Sequence, residues 1–178
     1  ERGGCDGKKL EGGQLRFYNN FDTFTDLIEK VKKMISSNEL FSLGLAAHSL
    51  RAVKKEDLDK ITDINNGPIH IHVAEQVQEV EEVKKFYGKR PVEWLIENFD
   101  INERWCFIHC TQMTKSETLD LAKSGAVAGL CPVTEANLGD GIFNGLEYFQ
   151  NQGMFGLGTD SNINISLIEE IKTFEYSP

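Results

Sequence analysis

The sequence predicts an α/β fold built on a parallel sheet, and two observations carry that prediction. Five short, mostly apolar runs, at 41–48, 69–75, 105–109, 126–130 and 155–160, are each followed by polar residues, as strands buried on both faces are. Helical patterns lie between them. The runs start about 28 residues apart on average, and repeated β-α units of that size make parallel sheets with right-handed crossovers. A closed eight-unit barrel uses about 31 residues per unit, so five units fill this chain of 178 residues. An open doubly wound sheet and part of a barrel both satisfy the spacing.

The elements follow in order. Residues 1–20, with five glycines among the first 13, read as a loop or a severed connection, and 21–178 as the folded domain. Phe21, Phe24, Leu27, Ile28, Val31 and Ile35 recur at helical spacing and predict a helix over 21–35. Leu58 and Ile61 mark a second helix at 55–64, and Val77, Val80 and Val83 a third at 76–86. Pro91 suits the first turn of a short fourth helix. Thr114 with Glu117, and Ser166 with Glu169, fit the reciprocal capping box that opens a helix. Residues 137–141 read as a loop after the fourth run, while Lys54-Lys55 and 79–82 read as solvated helix faces.

Composition narrows the function. With 19 Lys+Arg against 28 Asp+Glu, the formal charge is −9, the wrong sign for a nucleic-acid binder. No apolar run approaches the roughly 18 residues of a membrane span, and the start has no signal-peptide pattern. Cys5, Cys106, Cys110 and Cys131 form no C-x-x-C pair. They read as small buried hydrophobes of a reduced, cytoplasmic protein rather than as a zinc site.

His48, His72 and His109 fall at or near predicted strand ends, and Asp160 closes the last strand within Gly158-Thr159-Asp160-Ser161-Asn162. Active sites of α/β proteins gather at the C-terminal ends of the strands. In His70-Ile71-His72 the two imidazoles share a face, because side chains alternate along a strand. His72 is nearer the end and is the better metal ligand, with His70 as packing or support. Glu75, three residues on, can reach a substrate held there. Imidazole and carboxylate are the donors of hydrolytic zinc sites. The Gly158-Thr159-Asp160 run lacks the G-x-G-x-x-G phosphate fingerprint, which leaves an open flavodoxin-like module as a weak competitor.

His72-Val73-Ala74-Glu75, His109 and the Gly-Thr-Asp-Ser segment around Asp160 resemble the amidohydrolase superfamily of metal-dependent deaminases. Longer motifs, His48-Ser49-Leu50-Arg51-Ala52-Val53, Arg90-Pro91-Val92-Glu93-Trp94-Leu95 and Thr134-Glu135-Ala136-Asn137-Leu138-Gly139-Asp140-Gly141, resemble its formimidoylglutamate deiminases, enzymes of histidine degradation. The family's H-x-H motif lies on its first strand. Asp160 follows His72 by 88 residues, too few for the about 210 that separate first from eighth strand at barrel spacing. The resemblance therefore implies a partial TIM (β/α)8 barrel, strands four to eight, with the first three strands and the flanking β-sandwich absent.

It also implies hydrolysis of N-formimidoyl-L-glutamate to N-formyl-L-glutamate and ammonia. His72 and Asp160 would hold zinc with two histidines that this chain lacks, so that this fragment alone binds it weakly or not at all. Asp160 would also take a proton from water, Glu75 would carry protons to the departing nitrogen, and His109 would stabilise developing charge. His48 and Arg51 would clamp a substrate carboxylate, a task a planar guanidinium suits. Two other readings stay open: a deaminase of cyclic substrates of the guanine or cytosine type, and a catalytically silent fragment. A barrel cut open exposes strand edges and apolar surface, so a homodimer is expected.

Overall fold

The computed structural model describes residues 1–161 and 163–177; Asn162 of the Gly-Thr-Asp-Ser-Asn segment and Pro178, the end of the expected domain, lie outside them. Strands β1 (Leu45–Ser49), β2 (Ile69–Val73), β3 (Trp105–His109), β4 (Val127–Leu130) and β5 (Met154–Leu157) form one sheet in sequence order. This is the expected α/β architecture. Eight helices accompany the strands among the described residues: α1 (Phe21–Ile35), α2 (Lys55–Ile64), α3 (Val77–Tyr87), α4 (Pro91–Asn98), α5 (Lys115–Ser124), α6 (Pro132–Leu138), α7 (Gly145–Gln150) and α8 (Leu167–Tyr176). The chain divides into two compact units, Glu1–His70 and Ile71–Pro178.

In the first unit the glycine-rich start is pinned down rather than loose. The Arg2 amide donates to the Ala52 carbonyl, its guanidinium donates to the carbonyls of Leu50 and Arg51, and Cys5 is buried. A 3-10 turn, Gly12–Phe17, follows. Asn20 caps α1 by accepting the Thr23 N–H at 2.8 Å. Of the predicted apolar stripe only Ile28 is fully buried, and Leu27 is exposed. Strand β1 begins at Leu45 instead of 41. Its ladder opens where the Leu45 N–H meets the Pro68 carbonyl, whereas the Leu43 carbonyl is taken by the Asn65 side chain. Helix α2 has the predicted bounds and buries Leu58 and Ile61.

The second unit is built on the parallel ladders β3–β4 and β4–β5, with Phe107 opposite Ala128 and Ala128 opposite Phe155. Phe107 and Leu130 of the sheet, with Val83 of α3, Leu95 of α4 and Leu121 of α5, are fully buried. Tyr148 ties the sheet to α7: it is buried, and its hydroxyl donates to the Met154 carbonyl at 2.8 Å and lies 3.2 Å from that of Ala126. Three expectations need correction here. Strand β5 stops at Leu157, three residues before Asp160, because β4 ends at Leu130 and Pro132 already opens α6. A single further bond, Gly158 N–H to the Leu130 carbonyl, extends the pairing. Residues 137 and 138 belong to α6, and the loop starts only at Gly139, whose φ of 73° suits the left-handed cap. Glu79 is not on a solvated face; it is buried.

Candidate active site

The strand ends of the second unit carry an unusual backbone. Ala74, His109, Cys110 and Asp160 all adopt positive φ, at 52°, 75°, 55° and 40°. Such conformations cost non-glycine residues of order 1–3 kcal/mol and cluster at functional sites. Three of the four have identifiable support nearby. Strand β2 ends at Val73 rather than Glu75 because the buried Glu79 carboxylate, in the first turn of α3, accepts the N–H of Ala74 at 3.0 Å and of Glu75 at 2.8 Å. The Cys110 N–H returns to the Val73 carbonyl at 3.0 Å. Asp160 is followed by Ser161, whose hydroxyl meets Thr134 of α6 at 2.9 Å.

These turns bring three of the expected residues together. His109 Nε2 lies 3.8 Å from Glu75 Oε1, and the rings of His72 and His109 stack with centroids 5.5 Å apart. His109 is only 1% exposed. Burial opposes a charge on its ring, but a hydrogen bond to Glu135 and the nearby carboxylates of Glu75, Glu135 and Asp160 outweigh it and hold His109 above the usual histidine range. Asp160 thus acts electrostatically on this cluster. On β2, His70 is exposed and His72 half-buried, alternating with buried Ile69, Ile71 and Val73, so the two imidazoles do share a face.

His48 and Arg51 belong to the first unit. His48 is exposed, with Nδ1 3.0 Å from the Ser49 hydroxyl. Arg51 keeps a buried Nε with no hydrogen-bond partner among the described residues.

Sequence reasoning missed the carboxylates underneath. Glu135, in the first turn of α6, accepts the Cys131 N–H at 3.1 Å and lies 3.2 Å from His109 Nδ1. His109, Cys131 and Glu135 could together offer three metal donors within 4.8 Å. Their chemistry disfavours it: burial, reinforced by Glu135, pushes the Cys131 thiol up to about 12, and Glu135 is engaged with the His109 ring. The Arg90-Pro91 motif also acts here. Arg90 Nε donates to the buried Glu117 at 2.7 Å, and its guanidinium donates to the Gln112 carbonyl. Gln112 in turn donates its N–H to Ala74 and its side-chain amide to Asp140, joining three strand-end loops. The available signal was an acidic residue in the first turn of each helix, at 79, 117 and 135.

Residues 14–175 match the Amidohydrolase family. The chain belongs to this amidohydrolase family. It is 39% identical over 175 residues to the formimidoylglutamate deiminase of Pseudomonas aeruginosa, covering 97% of this chain and 38% of that protein. The 5'-deoxyadenosine deaminase of Methanopyrus kandleri is 34% identical over 136 residues, which cover 74% of this chain and 32% of the relative. A crystal structure of an amidohydrolase from Brucella melitensis superposes with a TM-score of 0.94 at 49% identity, over 98% of this chain and 39% of its own. An adenosine deaminase from Xanthomonas campestris with bound zinc shares the fold at a TM-score of 0.79 and 24% identity, over 85% of this chain and 36% of its own. The chain thus spans less than two-fifths of the length of these proteins, and its sheet is part of a TIM barrel, as expected.

Proposed function

We propose that this amidohydrolase chain carries one part of a deiminase centre that hydrolyses N-formimidoyl-L-glutamate to N-formyl-L-glutamate and ammonia. The observation that carries the proposal is the cluster of His72, Glu75 and His109 on strained strand ends, backed by buried carboxylates. The donor types fit zinc: a half-buried imidazole at His72 and the carboxylate of Asp160 are ligands this metal takes. They make two donors, and the family's remaining pair comes from a first-strand H-x-H that we place outside this chain. When bound, the metal lowers the pKa of a water.

The chain's own residues do the rest. Asp160 takes a proton from the attacking water, whose oxygen bonds to the formimidoyl carbon. Glu75 and Asp160 pass the water's two protons to the terminal nitrogen, the carbon–nitrogen bond to that atom breaks with its electron pair going to nitrogen, the added oxygen becomes the formyl carbonyl, and ammonia leaves. His109, with its ring fixed from behind, stabilises the charge that develops during attack. His48 and Arg51 take a substrate carboxylate; the buried Arg51 Nε, without a hydrogen-bond partner among the described residues, supports such a need for an acceptor. A purine offers no carboxylate for that clamp, so the acyclic substrate is preferred over a purine nucleoside, although a relative is named for one.

The test is a chimera in which this chain replaces the matching segment of the Pseudomonas aeruginosa deiminase. It is expected to release ammonia from N-formimidoyl-L-glutamate and not from 5'-deoxyadenosine; the reverse preference would overturn the reading. Four free cysteines, three of them buried, suit a reducing cytoplasm, and no helix among the described residues is long and apolar enough to cross a membrane.

The chain alone is proposed to form a homodimer. Met154 and Phe155 of the terminal strand, with Ile165, Ile168 and Ile171 on and beside α8, are exposed, and a second copy would cover such an apolar edge. Light scattering at micromolar concentration should give twice the chain mass; a stable monomer would contradict this.

A further inference from the structure

We infer that Glu135 is a positioning residue that dictates which nitrogen of His109 faces the reacting groups. The inference rests on the site proposed above but is argued from one oxygen atom. Glu135 Oε1 accepts the backbone N–H of Cys131 at 3.1 Å and lies 3.2 Å from His109 Nδ1. A backbone N–H can only donate, so this oxygen serves as an acceptor. Its second partner must then be a donor as well, and the proton sits on Nδ1. That leaves Nε2 as the nitrogen directed at Glu75, 3.8 Å away. In the neutral ring Nε2 presents its lone pair, and in the charged ring it presents a proton.

The surroundings make Glu135 suited to this. The carboxylate is 3% exposed and the imidazole 1% exposed, so neither exchanges its partner freely with water. Helix α6 is anchored independently of the histidine. Glu170 of α8 accepts the Val133 N–H at 2.9 Å, Thr134 meets Ser161 at 2.9 Å, and the Asp140 N–H closes the helix on the Glu135 carbonyl at 2.9 Å. Ser161 is the neighbour of Asp160, so the helix that sets the His109 ring also holds the loop of the proposed metal ligand.

Histidine selectively labelled with nitrogen-15 reads the proton directly, in the intact chain and in metal-free buffer. Long-range proton–nitrogen correlations distinguish the two ring nitrogens, and His109→Gln assigns its signals among the four histidines. The expected result is a proton on Nδ1 of His109; a bare Nδ1 with the proton on Nε2 would overturn the inference. Glu135→Ala should lose this signature and mix the tautomers. Glu135→Gln, which keeps an acceptor oxygen, should retain it. An unchanged tautomer in a folded Glu135→Ala chain would also overturn the inference. If that variant does not fold, the unmodified chain and Glu135→Gln still decide. None of these readings needs substrate, metal or turnover, so a failure of the proposed reaction would not be mistaken for a failure here.

Discussion

Glutamine in place of Glu75 is expected to lower ammonia release by the chimera about 10²–10⁴-fold, the usual contribution of a positioned proton carrier. The substitution removes the proton-carrying oxygen and changes little else. Glu79 holds the turn through the backbone N–H of residue 75, not through its side chain, so the turn survives. Glu75 is not a metal ligand in this account, so zinc content should be unchanged and KM nearly so. The loss belongs in kcat, because proton delivery to the leaving nitrogen matters in the transition state and not in binding. A decrease of less than about tenfold would remove Glu75 from the proton path.

Alanine in place of Arg90 should have the largest effect on stability. It leaves Glu117, whose side chain is 5% exposed, without its counter-charge and frees the Gln112 carbonyl. Breaking a buried pair costs about 3–5 kcal/mol; Arg90 is itself 23% exposed, which favours the lower end. Against a typical total of about 5–15 kcal/mol that is a large fraction, and in a chain of this size it lowers the melting temperature by roughly 6–12 °C. Thermal unfolding followed by circular dichroism measures it. Arg90→Met combined with Glu117→Gln should recover part of the loss, because the buried charge is gone while the glutamine oxygen can still cap Thr114. A melting temperature unchanged in Arg90→Ala would show that the pair is not structural.

How much was legible in the sequence follows from where the determining forces act. Helices α1 and α2 and strand β3 have the bounds that local periodicity places, and α4 begins at Pro91. The ends of β1, β2 and β5 do not, because they depend on which carbonyl across the ladder is free and on residues held at positive φ. Ala74 carries no local sign of a left-handed turn; the carboxylate of Glu79 imposes it. The site shows the same division. His72, Glu75 and His109 were visible from residue type and strand-end position, and the structure joins them. Glu79 and Glu135 were not, because a carboxylate in the first turn of a helix reads as solvated until the surrounding packing buries it. His48 and Arg51 were legible only through a motif, and the structure adds that the buried Arg51 Nε has no hydrogen-bond partner among the described residues.

In the proposed reaction this chain supplies two donors to a metal site that requires more. Zinc measured by elemental analysis, after the purified 178-residue chain is loaded and dialysed, tests it most directly, because tetrahedral zinc sites ordinarily use three or four protein ligands. The expected result is far less than one zinc per chain, with stoichiometric zinc in the chimera and its loss there on Asp160→Ala. One tightly held zinc per chain in the isolated protein would contradict it.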